Sequence, residues 1–243
     1  MKNFKLEVIG FTLANCLAAQ AAGANRIELC DNHADGGTTP SYGFIKAARA
    51  QLTIELFPII RPRGGDFLYT AEEFEIIKTD ILACKNLGCD GVVMGMLKED
   101  GSVDKIRCRQ LVQLAYPMSV TFHRAFDRVS DASQALEDII EMGCDRILTS
   151  GLASLAPDGV ATIAALIKQA DGRIIIMPGS GVRAENIETI EKRTGATEFH
   201  TSARTIVKSN MAYNNPAMKE DLNVVGIDIE ELRNMIARLK SIQ

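Results

Sequence analysis

The chain alternates between two hydrophobic periods. Short runs with every second position apolar (Phe4, Leu6 and Val8; Ile27 and Leu29; Val120 and Phe122) are separated by longer stretches with apolar residues three and four apart. The short runs predict strands over 5–9, 26–30, 53–60, 91–94, 119–123, 146–150, 173–178 and 198–201. The longer stretches predict helices over 13–22, 42–50, 71–87, 103–115, 131–142, 159–169, 184–192 and 228–241. Eight strand–helix pairs with no linker-like stretch between them predict an α/β protein: one (β/α)8 TIM-type barrel domain over 1–243. Residues 208–243 then form a C-terminal extension ending in a helix. A doubly wound sheet is the alternative for such alternation.

A repeated junction favours the barrel. Ala22-Gly23-Ala24-Asn25-Arg26-Ile27 resembles Leu87-Gly88-Cys89-Asp90-Gly91-Val92 and Met142-Gly143-Cys144-Asp145-Arg146-Ile147, and more loosely Thr194-Gly195-Ala196-Thr197-Glu198-Phe199. Each glycine follows a predicted helix, where a left-handed residue ends the helix, and the small residue after it lets a strand begin. A βα unit needs about 30 residues, so two fit in each interval and the junction leads into every second strand.

Strand parity then predicts which side chains face the lumen. If the alternating apolar residues pack on the helices, Lys5, Glu7 and Ile9 point inward from the first strand. Arg26, Glu28 and Cys30 do so from the second, Thr121 and His123 from the fifth, and Glu198 and His200 from the eighth. Arg26 and Glu198 suit an ion-paired plug low in the barrel. Glu7, Glu28, His123 and His200 form an upper ionisable layer near the strand ends, where barrel enzymes keep their sites.

The loops at that end add candidate anion ligands. Arg61-Pro62-Arg63-Gly64-Gly65-Asp66 follows the third strand and His123-Arg124-Ala125-Phe126-Asp127 the fifth. Arg61, Arg63 and Arg124 are expected on the pocket rim, Arg61 and Arg124 gripping an anionic group, with Asp127 beside them. Pro178-Gly179-Ser180-Gly181 and Thr201-Ser202-Ala203 follow strands seven and eight, where barrels often bind phosphate, so Gly179, Ser180, Gly181, Ser202 and Ala203 are expected to contact it. His33 reads as a solvated loop residue.

Composition narrows the partners. Of 243 residues, 47% are hydrophobic and 24% charged, with net charge -4 and no Trp. An acidic, aromatic-poor chain argues against nucleic-acid binding. No run spans a membrane, and Met1-Lys2-Asn3-Phe4-Lys5 lacks the apolar core of a signal peptide, so a cytoplasmic location is expected. The six cysteines form no CxxC pair and read as buried, reduced residues. No nucleotide-cofactor motif is evident.

Ile27-Glu28-Leu29-Cys30, Gly36-Gly37-Thr38-Thr39-Pro40-Ser41, Pro58-Ile59-Ile60-Arg61-Pro62-Arg63-Gly64-Gly65-Asp66-Phe67, Thr121-Phe122-His123-Arg124-Ala125-Phe126-Asp127 and Leu148-Thr149-Ser150-Gly151 resemble the CutC family, to which a role in copper homeostasis is ascribed. The resemblance runs from residue 4 to about residue 206. It implies a cytoplasmic barrel, a homodimer or higher homo-oligomer, that handles copper. In some members cysteines ending the first two strands are the proposed ligands; here Cys30 holds the second position and Ile9 the first. Cys30 is therefore the candidate Cu(I) ligand, with Met94, Met96 and Met177 near strand ends as further sulfur or as packing. The residues themselves suggest an alternative: an enzyme acting on a small anionic, phosphorylated metabolite, with Glu7 or Glu28 as base and His123 as acid or base.

Overall fold

The computed structural model describes residues 3–242. Met1, Lys2 and Gln243 lie outside them, including the first two positions of the N-terminal reading. Eight parallel strands carry the barrel: β1 (Lys5–Gly10), β2 (Arg26–Leu29), β3 (Glu55–Pro58), β4 (Gly91–Met94), β5 (Ser119–Phe122), β6 (Arg146–Thr149), β7 (Ile175–Pro178) and β8 (Glu198–Thr201). The helices between and after them are α1 (Leu13–Ala22), α2 (Tyr42–Gln51), α3 (Ala71–Asn86), α4 (Lys105–Ala115), α5 (Ala132–Met142), α6 (Val160–Ala170), α7 (Ile187–Thr194) and α8 (Ile229–Ser241). Every predicted strand and helix is present; the third and seventh strands are shorter than their apolar runs.

Hydrogen bonds order the strands as β3-β2-β1-β8 and β4-β5-β6-β7. The two halves meet where Ile60 N–H donates to Val93 O at 2.7 Å. At the opposite seam β7 and β8 lie side by side without a ladder among the described residues, with Gly179 packed directly on Leu148 and His200. α8 packs between α7 and α1 and completes the helical ring, so the helix ending the 208–243 segment is the eighth barrel helix. Before it, β9 (Arg204–Val207) and β10 (Val224–Ile227) pair antiparallel, a hairpin the hydrophobic pattern does not predict. Among the described residues no helix is long and apolar enough to cross a membrane.

The repeated junction has a structural reason at its third residue as well as at its glycine. Gly23, Gly88, Gly143 and Gly195 all end helices at positive φ, between 76° and 104°. The polar residue two positions later then clamps the preceding strand. Asn25, Asp90 and Asp145 side chains accept the backbone N–H of Leu6, Leu56 and Val120 at 2.7–2.9 Å. Their own N–H groups donate back to the carbonyls of the same three residues. Thr197, in the looser fourth copy, sits at the β7–β8 seam, where no ladder forms.

Parity divides the core as expected. Leu6, Val8, Ile27, Leu29 and Leu56 are fully buried in the layer between strands and helices, each side chain contributing about 1.5–3 kcal/mol. A second, smaller cluster of Ile9, Cys30, Phe57, Ile59 and Val93 fills part of the lumen. All six cysteines are unpaired and buried. Met94 and Met96 pack in the outer layer, while Met177 lies in the lumen with its sulfur 4.0 Å from Arg26 Nη1.

Candidate functional site

The lower lumen is an ion-pair layer that leaves only Arg26 Nη2, among its guanidinium nitrogens, buried without a partner. Arg26 binds Glu198 at 2.8 Å, Glu55 at 2.8 Å and Glu7 at 3.2 Å, and Arg146 binds Glu198 at 3.2 Å. Both guanidinium groups stack on Phe57, at 4.8 and 5.1 Å from its centroid. Buried charges require this degree of pairing, because a lone ion costs several kcal/mol in the interior.

Glu7 connects this layer to the one above. Its second oxygen lies 2.8 Å from His200 Nδ1, and His200 Nε2 lies 3.8 Å from Glu28. Burial alone would raise the Glu7 carboxyl, but the bond and charge of His200, with Arg26 and Arg146, hold it below the usual carboxylate range. Burial pushes Glu28 up to about 7, with the Glu7 charge adding to the rise and His200 opposing it. Burial opposes a charge on His200, yet its bond to Glu7 and the two carboxylate charges raise its pKa above the ordinary value. The three groups are buried together, with Glu7 held ionised while Glu28 and His200 both hold their protons to higher pH than usual. One ligand atom from each lies within 4.8 Å of the others, close enough to surround a metal ion.

Above this array opens a cavity of about 350 Å³ at the C-terminal ends of the strands. Glu28 and His200 line it, with His123, Arg61 and Arg124 on other walls. His123 is buried, and its Nδ1 accepts the Ala125 N–H at 3.2 Å. Burial and the Arg61 charge push it down to about 3, so it is neutral with its proton on Nε2, which has no partner.

Several loop residues have duties other than those expected. Arg61 reaches the cavity, but its guanidinium clamps loops: Nη1 donates to Asp35 O (2.6 Å) and Gly37 O (2.8 Å), and Nη2 to Gly65 O (2.8 Å). Its Nε remains buried without a partner. Arg63 does not line this cavity; it binds Glu73 and Asp66 and stacks on Tyr69. Arg124 is tied to Asp127 (2.7 Å) and Ser150 (2.8 Å). Asp127 is an anchor rather than a free carboxylate: it accepts from Arg124, Thr149, Ser150 and Leu152, and Leu152 is held at φ 61°.

Of the expected phosphate set, Ser180, Gly181 and Ser202 line the cavity and Gly179 and Ala203 do not. The Gly179 N–H is committed to Thr149 O, and that of Ala203 to the Thr201 hydroxyl. The structure adds Arg183 and Arg204 from the same two loops, and Phe67. Arg183 stands two residues past Gly181, and Arg204 directly follows Ala203; that spacing was the only signal for either. His33 is exposed, as expected of a loop residue, yet it lies on the cavity wall, edge-on to Phe11.

Cys30 stands apart from the metal-capable triad. It is fully buried in the lumen's apolar cluster. Burial, with the charges of Glu28 and Glu7, pushes its thiol well above the ordinary value, and it hydrogen-bonds to Glu28. A protonated thiol is a poor ligand for Cu(I), which binds thiolate.

The CutC family model matches residues 4–205. This chain belongs to the CutC family. A family protein CutC from Chromobacterium violaceum is 55% identical over 208 residues, covering 86% of this chain and 84% of the relative. One from Parabacteroides distasonis is 50% identical, covering 97% and 98%. The crystal structure of CutC from Streptococcus agalactiae superposes with a TM-score of 0.79 at 36% identity, covering 82% of this chain and 98% of that one. At 12% identity, phosphoribosylanthranilate isomerase from Thermotoga maritima superposes with a TM-score of 0.60, which speaks to the barrel fold alone.

Proposed function

We propose that this CutC-family barrel binds a copper ion, in keeping with the homeostasis role ascribed to the Streptococcus agalactiae relative, and that the ion is held by Glu28 and His200 with Glu7 behind them. The observation that carries this reading is the approach of His200 Nε2 to Glu28, 3.8 Å apart, within a cluster whose three donor atoms lie within 4.8 Å of one another. Glu7 bonds His200 Nδ1 and leaves Nε2 turned to Glu28 and the cavity; a carboxylate orienting a histidine in this way is the usual support of a metal ligand. Arg26 in turn steadies Glu7. Carboxylate and imidazole donors match Cu(II), which heads the divalent affinity order, better than Cu(I). Cys30 then supports Glu28 through its hydrogen bond rather than holding the metal.

Copper titration against a calibrated chelator tests the reading, with Cu(II) and Cu(I) in separate arms. Wild type and Cys30→Ala are expected to bind one Cu(II) alike, while His200→Asn and Glu28→Gln bind at least tenfold more weakly. Loss of binding in Cys30→Ala with retention in His200→Asn would overturn it.

A further inference from the structure

The cavity holds a donor that the copper reading does not use. His123 is 4% exposed and packs its ring at 4.8 Å from Phe67. Because Nδ1 accepts a backbone N–H, the ring proton sits on Nε2, and that N–H is buried with no acceptor. Buried donors are almost always paired, so an unpaired one on a side chain that lines a cavity points to an acceptor that arrives with a ligand.

Four arginines line that cavity, and among the described residues two of them are unpaired. Arg183 and Arg204 both line it, and neither has a carboxylate within salt-bridge distance among the described residues. Ser202 adds a hydroxyl, whereas the Ser180 hydroxyl donates to Ser154 O at 2.9 Å. Of the two carboxyls in the array below, Glu28 lines the cavity, where burial favours its neutral form, and Glu7 is bonded to His200 and Arg26 and does not line it. The walls therefore offer hydrogen-bond donors and uncompensated positive charge to a ligand of small size, since about 350 Å³ is at the lower end for ligand pockets.

We propose that the cavity is a binding site for a small organic phosphate, whose phosphoryl oxygens accept from His123 Nε2 and from the guanidinium groups of Arg183 and Arg204. A phosphate ester supplies acceptors without donors and a charge that matches two arginines. The site stands independently of copper: its residues are not the metal-capable triad, although both open on the same cavity.

Calorimetry and thermal shift with ribose 5-phosphate, inorganic phosphate and ribose as probes test the proposal on the full chain. Ribose 5-phosphate is expected to bind and raise Tm, inorganic phosphate to do so more weakly, and ribose not at all. His123→Asn keeps an acceptor for the Ala125 N–H and removes the Nε2 donor; His123→Gln presents a donor near Nε2 and loses that acceptor. Affinity is expected to fall about ten- to a hundredfold in His123→Asn and in Arg183→Ala, and to be largely kept in His123→Gln. Copper affinity is expected to be unchanged in Arg183→Ala, which separates this proposal from the metal reading. No stabilisation of wild type by either phosphate at millimolar concentration would overturn it. So would equal affinity in wild type, His123→Asn and Arg183→Ala.

Discussion

Replacing Glu28 by Gln isolates the electrostatics of the upper layer. The carboxyl is 3% exposed, and burial raises its pKa from 4.5 to about 7. Between those values the folded protein retains a proton that the unfolded chain has released. The native state therefore binds more protons than the unfolded state, and stability falls as pH rises through this window. At about 1.4 kcal/mol per pH unit, the span from 4.5 to about 7 corresponds to roughly 3 kcal/mol. His200, whose pKa is raised, adds a loss in the same direction: its contribution is complete below about 6.5 and disappears as pH climbs through the folded value. Glu7, held low, contributes in the opposite direction only in more acid solution, below 4.5.

Gln has the shape of a protonated Glu and carries no charge. The variant should match wild type near pH 5 and exceed it at pH 8 by about 3 kcal/mol, a figure that already includes the attraction of His200 for the ionised carboxylate. For a chain of this length that corresponds to roughly 6–12 °C in Tm. Urea denaturation from pH 5 to 8 in EDTA, followed by circular dichroism, measures it. Parallel pH profiles for the two proteins would refute the reasoning. A variant less stable than wild type at pH 8 would show that His200 more than offsets burial.

Three further outcomes follow from the packing. Asp127→Asn sets amide hydrogens against the donors of Thr149, Ser150 and Arg124, and should cost about 2–4 kcal/mol in urea denaturation with an unchanged slope. Gly91→Ala would place its Cβ 2.4 Å from the Phe57 ring that fills the lumen beneath the two arginines, so a loss of about 1–3 kcal/mol is expected, with Phe57→Leu recovering part of it in the double variant. The six buried thiols should react with a disulfide reagent only slowly in the native protein and all at once in denaturant; rapid native reaction of any would contradict their burial.

What the sequence revealed about the site divides along the line between strands and loops. A strand's side chains alternate with period two, so once Leu6, Val8 and Ile27 are assigned to the helices, Glu7 and Glu28 have only the lumen left to enter. The same arithmetic placed His123 and His200, and all four are buried there. Loops have no such period. Arg61 and Arg63 are two residues apart in one arginine-, proline- and glycine-rich segment. One turns in to three backbone carbonyls, and the other turns out to Glu73 and Asp66. Which way each turns depends on the path of the loop, which sequence composition does not encode. The β9–β10 hairpin was missed for a related reason: Arg204–Val207 is exposed throughout, so no buried face leaves an alternating signature. The glycine of the repeated junction was readable as a helix stop, whereas the work of Asn25, Asp90 and Asp145 was not, because their partners lie one strand back in the chain. Chemistry set by local periodicity can thus be read from the chain, while chemistry set by what a side chain meets after folding cannot. Cys30 belongs to the second kind. Its position ending the second strand was legible, but the adjacent Glu28 and Glu7 that keep its thiol protonated became visible only once the barrel closed around them.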